Sequence, residues 1–201
     1  MATNGVRQPV IRIFNPEDDP STAGTEHSDL IAYDLAHEIH HLRSRLWPIG
    51  EHDTVVVSIK GMRHSTISQR PGGAYGIYVG PKSCYNANGG LPHMTPHIER
   101  RYEMEALSRA LEVLRNIVIN NPDILRIFVI TDSDFLSSAL SEIHEVLMNA
   151  GFPQSGNRIP DFERVKQLHE HLCEFEATGR TIQFWNAPSL TRKAYELAMV
   201  T

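Results

Sequence analysis

Arg100–Asp134, RRYEMEALSRALEVLRNIVINNPDILRIFVITDSD, decides the fold: it reads as a long amphipathic helix followed at once by a buried strand that ends in carboxylates. Glu103, Leu107, Ala110, Leu114 and Ile117 recur at spacings of three and four and so share one face, which Ala106, Val113 and Val118 continue. Glu103 is therefore expected to point inward, where a carboxylate is costly unless a charge, a metal or a hydrogen bond meets it. Ile124–Ile130 has no polar alternation after Arg126, as in a strand covered on both faces, and it delivers Asp132 and Asp134 at its C-terminal end. In open α/β sheets that edge is where sites form. Plainer roles compete: Asp132 or Ser133 suits the cap of a helix beginning near Asp134, and Glu103 suits the favourable first turns of its own helix.

Working outward, Thr54–Ile59 is β-branched and Val-rich, hence a strand that Lys60-Gly61 is expected to end. Gly73–Val79 reads as a second strand and Cys84–Asn88 as a third, with Gly80–Ser83 as the turn, giving an antiparallel meander. Thr95 and Pro96 carry the start signals of the central helix. Downstream, the pattern predicts helices over about 134–149 and 161–177, a loop over 151–160 and a last strand over 181–185. A short helix capped by Ser189 closes the chain.

The 201 residues carry 41% apolar and 21% charged side chains, enough for one sizeable domain plus an extension. A formal charge of −5 gives no global basic field to hold nucleic acid, so such contacts must come from a local patch. Cys84 and Cys173 lack both a disulfide framework and a zinc spacing, which fits a reducing compartment. MATNGVRQPV carries no apolar signal region, and no stretch approaches the roughly 18 apolar residues of a membrane span, so an intracellular protein, cytoplasmic or nuclear, is expected.

Residues 1–53 read as an extension to a core over 54–201. Val10–Phe14 suits a short strand and 15–28 a polar linker. Ile31, Leu35, Ile39, Leu42 and Leu46 predict a helix over 29–47 that docks by this stripe on the core or on a protein partner. Inside it, His37-Glu38-Ile39-His40-His41 satisfies the HExxH zincin pattern. On that helix His37 and His41 lie away from the stripe and no third ligand follows in sequence, so the pattern reads as a solvated polar face without zinc.

This order of elements, with acids on the long helix and the fourth core strand, resembles the ribonuclease H family. The local words agree: Gly72–Tyr78 looks like the family's glycine-rich second strand, Arg101–Ala106 like its helix-borne glutamate motif, Ile130–Ser133 like its fourth-strand aspartate motif, and Ala194–Ala198 like its closing Ala-Asp-x-Leu-Ala. The resemblance implies an α/β ribonuclease H-like fold, a five-stranded mixed sheet flanked by helices, with the helical extension in front. It implies a nuclease cutting RNA in RNA:DNA hybrids, with four carboxylates holding two divalent ions, magnesium or manganese. Such an in-line displacement uses one ion to generate hydroxide and a second, ~3.5–4 Å away, to stabilise the leaving oxygen.

Two of the four acids are replaced. Glu103 and Asp132 match; the first-strand aspartate is Lys60, and the last-helix aspartate is Tyr195. Asp134 and Glu196 lie beside matched positions, and one residue along a helix is a turn of about 100°. The expectation is a catalytically impaired domain, kept as a nucleic-acid-binding or interaction module, with no cofactor. Arg63, His64, Arg70 and Arg100 would form a local basic patch for RNA or a hybrid. Two alternatives stand beside it: a hydrolase with one ion on Glu103, Asp132 and Asp134, or a pocket for a small anion or a protein.

Overall fold

The computed structural model describes residues 12–63, 72–92, 99–149 and 161–201, with backbone alone over 142–149. Among these residues seven strands form one sheet: β1 (Ile31–Asp34), β2 (Ile39–Leu42), β3 (Thr54–Arg63), β4 (Gly73–Tyr78), β5 (Ala87–Leu91), β6 (Arg126–Thr131) and β7 (Thr181–Asn186). The α-helices described with them are α1 (Glu99–Asn120), α2 (Asp134–Asn149), α3 (Phe162–Glu176) and α4 (Arg192–Met199). Among the described residues, no helix is long and apolar enough to cross a membrane.

β3 is the axis of the sheet. Along one edge it pairs in parallel with β6, Thr54 opposite Arg126 through Ser58 opposite Ile130, and β6 continues in parallel to β7. Along the other edge it pairs antiparallel with β4, which pairs with β5. The expected side-by-side placement of the Thr54 and Ile124 strands is present. β3 does not end at Lys60-Gly61 but runs on to Arg63. Gly61 keeps the strand going because α1 crosses it there: a Cβ on Gly61 would lie 2.0 Å from Tyr102 O. The third meander strand lies at Ala87–Leu91 rather than Cys84–Asn88, because Asn86 Oδ1 accepts the N–H groups of Val79 and Gly80 and holds the segment before it as a turn.

The predicted helix over 29–47 is instead the β1–β2 hairpin. Asp34 Oδ1 accepts the N–H groups of Ala36 and His37, an alternative to helical hydrogen bonding, and Glu38 takes a left-handed φ of 56°. β2 then fills the part of the β3 edge that β4 leaves open, through His40 opposite Val56 and His40 N–H to Val79 O at 3.0 Å. The supposed single stripe is split by the sheet. Ile39 joins the core with Val55, Val57, Leu107 and Leu114, Leu42 joins Phe14, Val56, Phe128 and Trp185 on the opposite face, and Leu35 and Leu46 are exposed. Five apolar letters spaced for a helix also satisfy a hairpin, and the free strand edge decides between them.

α1 buries Tyr102, Met104, Ala106, Leu107, Ala110, Leu111, Leu114, Ile117 and Val118 against the first of these faces. Large side chains so buried contribute roughly 1.5–3 kcal/mol each. On the other face α4 lies on β4, where a Cβ on Gly76 would meet Ala194 O at 1.9 Å. Ser189 does not cap this helix: it lies in a 3-10 turn, Pro188–Leu190, ahead of α4. Arg12 anchors the segment before the hairpin. Ile13 bridges in parallel to Phe184, and the fully buried Arg12 guanidinium grips Glu176 at 2.7 and 2.8 Å, Leu140 O at 3.0 Å and His169 Nδ1 at 2.7 Å.

Candidate functional site

The parallel register that sets Ser58 opposite Ile130 carries, two residues further along each chain, Lys60 to Asp132. Both side chains emerge on the face opposite α1, and Lys60 Nζ lies 2.5 Å from Asp132 Oδ2. α1 brings Glu103 to the same place. Its first turns rest on Gly61, so closely that a Cβ there would also lie 2.6 Å from Glu103 N. Glu103 Oε2 accepts the Ser133 hydroxyl at 2.6 Å, and Ser133 Oγ in turn accepts the N–H of Leu136 at 3.2 Å as the cap of α2. The capping role and the contact with the inward glutamate thus fall on one serine, leaving Asp132 to the lysine.

Burial raises the pKa of Glu103 above the ordinary carboxylate value; the Ser133 hydroxyl and the Lys60 charge oppose this, while Asp132 and Glu99 add to it. The cluster therefore combines one carboxylate bound to an ammonium and one carboxyl biased toward its protonated form.

The remaining expected residues are more scattered. Tyr195 stands on α4, 43% exposed, and neighbouring Glu196 is engaged by Arg192 Nε at 3.0 Å and Lys193 Nζ at 2.7 Å. Asp134 accepts a hydrogen bond from the Asn186 side chain. Arg63 is exposed at the end of β3, and Arg100 lays its guanidinium over the Phe135 ring, 4.9 Å from the centroid. Arg101 instead pairs with Asp161 at 2.5 Å. His64 and Arg70 lie outside the described residues, as do Thr95, Pro96 and the 151–160 loop.

A second cluster of chemistry-bearing groups lies at the other end of the sheet, where the hairpin gathers Asp34, His37 and His41. The HExxH word signalled two of the three but on the wrong scaffold: on a hairpin the aspartate joins them, and Glu38 faces Cys84, whose N–H it accepts at 3.0 Å. Asp34 had no sequence signal of its own.

No protein-family model matches the sequence, and no curated protein matches it. Solved structures do. LC11-RNase H1 isolated from compost superimposes with a TM-score of 0.50 at 15% identity, over 72% of this chain and 92% of that one. LC11-RNase H1 in complex with RNA/DNA hybrid gives 0.46 at 13%, over 73% and 94%. The foamy viral protease-reverse transcriptase in complex with dsDNA gives 0.49 at 15%, over 73% and 94%. The chain has an RNase H-like fold: β5, β4, β3, β6 and β7 with their helices form its mixed sheet, and the β1–β2 hairpin is added to it.

Proposed function

We propose that this chain is a catalytically impaired ribonuclease H-like domain that serves as a nucleic-acid-binding module. The observation that carries this reading is the 2.5 Å contact between Lys60 Nζ and Asp132 Oδ2. Magnesium takes hard oxygen ligands in near-octahedral geometry, and a two-ion centre needs several carboxylates bridging ions about 3.5–4 Å apart. The donor set present does not fit this requirement. Glu103 and Asp132 are the two matched acids, an ammonium already neutralises one, and burial disfavours the charge of the other. An entering divalent ion would meet a fixed positive charge at close range. Hydrolysis routed through two ions is therefore not part of this function.

Binding rests on the fold and on cations beside the cluster. Arg63 is exposed at the end of β3, three residues beyond Lys60, and Arg100 is exposed in the first turn of α1, three residues before Glu103. In a protein of net charge −5 such contacts are local, and each phosphate neutralised by Lys or Arg adds to the salt dependence of binding.

The test uses a labelled RNA:DNA hybrid with magnesium or manganese, alongside binding measured over a salt series. Expected are no cleavage and an affinity that falls as salt rises, with a shallower slope in Arg63→Ala and Arg100→Ala. Magnesium-dependent cleavage lost in Asp132→Asn would establish the hydrolase reading instead. Absence of salt-dependent binding would point to a small-anion or protein ligand.

A further inference from the structure

The β1–β2 hairpin holds a group of side chains that the ribonuclease H-like cluster does not use. In its antiparallel register Asp34 faces Ile39 and Ala32 faces His41, which makes Asp34 and His41 diagonal neighbours on one face of the sheet. The loop 35–38 then folds His37 back over both. His37 Nδ1 lies 2.6 Å and His41 Nε2 3.5 Å from the same oxygen, Asp34 Oδ2, and one donor atom from each of the three residues lies within 4.8 Å of the others.

His41 is the informative member. It is 2% exposed, and its Nδ1 lies 2.5 Å from Thr54 O. A carbonyl only accepts, so a hydrogen sits on Nδ1, and in the neutral ring Nε2 presents a lone pair. That Nε2 is buried without a hydrogen-bond partner and points toward a carboxylate oxygen. A buried lone pair facing an anionic oxygen is unfavourable unless a proton or a metal ion stands between them. An imidazole whose second nitrogen donates to a backbone carbonyl is also the arrangement that orients histidine as a metal ligand.

We propose that Asp34, His37 and His41 form a site for a divalent transition-metal ion of the zinc type, clasping the β1–β2 hairpin. Two imidazole nitrogens and one carboxylate oxygen match the ligand preferences of zinc. The fourth position opens onto a cleft of about 240 Å³ bounded by His52 and by 120–124, which admits a water. The site is held ready before metal arrives. Asp34 Oδ1 is occupied by the Ala36 and His37 N–H groups, which aims Oδ2 at the imidazoles, and the Glu38 contact with Cys84 N–H fixes the loop. That contact turns Glu38 aside from the ion, whose role is to clasp the hairpin; His41, held by Thr54 O, ties the clasped hairpin to β3. On ion binding, His37 exchanges its ring proton with solvent from Nδ1 to the outward Nε2, so the ring stays neutral and the Nδ1 lone pair takes the metal beside Asp34.

Full-length protein stripped with chelator is titrated with zinc chloride by calorimetry and with cobalt chloride by visible absorption. Expected are one ion per chain, cobalt absorption of tetrahedral intensity, and a higher melting temperature with zinc. His37 has its side chain 54% exposed, so His37→Ala keeps the fold; it should weaken binding by at least about tenfold and abolish the thermal shift, as should His41→Gln. With 11 histidines in the chain, adventitious uptake would show as binding unchanged in both variants. That result, or no stoichiometric uptake by the unmodified protein, overturns the proposal. Zinc binding unaffected by Asp132→Asn separates this site from the acidic cluster.

Discussion

Lys60 Nζ lies 2.5 Å from Asp132 Oδ2 because β3 and β6 run in parallel with Ser58 opposite Ile130, so the residues two steps beyond meet on one face. Glu103 is satisfied separately, by the Ser133 hydroxyl at 2.6 Å. The ammonium is thus committed to one carboxylate rather than shared between two.

Removing the lysine leaves Asp132 partly buried and unpaired. Lys60→Met is expected to cost about 1–2 kcal/mol, between the value of an exposed pair and that of a fully buried one, because both side chains keep roughly a fifth of their surface in water. Asp132→Asn added to Lys60→Met should recover most of that loss. Urea denaturation of the two single variants and the double variant measures the coupling; additive losses would mean the pair contributes nothing.

Glu103 gives the fold a pH dependence of known sign. Its folded pKa is raised, so the stability tied to its protonated form is fully present below the unfolded pKa and is lost as pH rises through the folded one. Glu103→Gln removes the charge while keeping an acceptor for Ser133. Compared by denaturation at about pH 4 and about pH 7, the variant should gain stability relative to the unmodified protein as pH rises across this interval. An equal change in both would show that Glu103 titrates as it does in the unfolded chain.

Two glycines set how closely helices approach the sheet. Gly61→Ala drives a methyl into Tyr102 O and Gly76→Ala into Ala194 O, both at distances of 2.0 Å or less, and backbone on either side cannot yield as a side-chain end can. Each substitution should cost about 3 kcal/mol or more. Gly90→Ala, whose Cβ would meet only Thr201 Cγ2 at 3.7 Å, should lie within about 1 kcal/mol of the unmodified protein. Thermal melts of the three variants decide it.

The hairpin makes its own prediction. Leu35 is 71% exposed and Leu42 1%, so Leu35→Asp should leave the melting temperature nearly unchanged, while Leu42→Ala costs about 2–5 kcal/mol by opening a cavity beside Val56 and Trp185. A docked helix over 29–47 would instead make both residues matter.

The sequence by itself determined the long elements. In α1 the apolar recurrence over six turns allows only one helix face, and in β6 an unbroken apolar run allows only a strand covered on both sides, so their order and the convergence of Glu103 and Asp132 followed from local pattern. Lys60 and Tyr195 stood out only through the resemblance to the ribonuclease H family, whose aspartates they replace. Only tertiary structure decided the rest. Residues 31–42 fit either period, and the open edge of β3 beside β4 selects the hairpin, which in turn unites Asp34 with His37 and His41. Arg12 gave no signal, since nothing in its neighbourhood announces that Glu176, 164 residues away, will meet it in the interior. Local periodicity fixes an element when the element is long enough to average over neighbours; pairings between distant short segments depend on which edges and charges the folded core leaves unmatched.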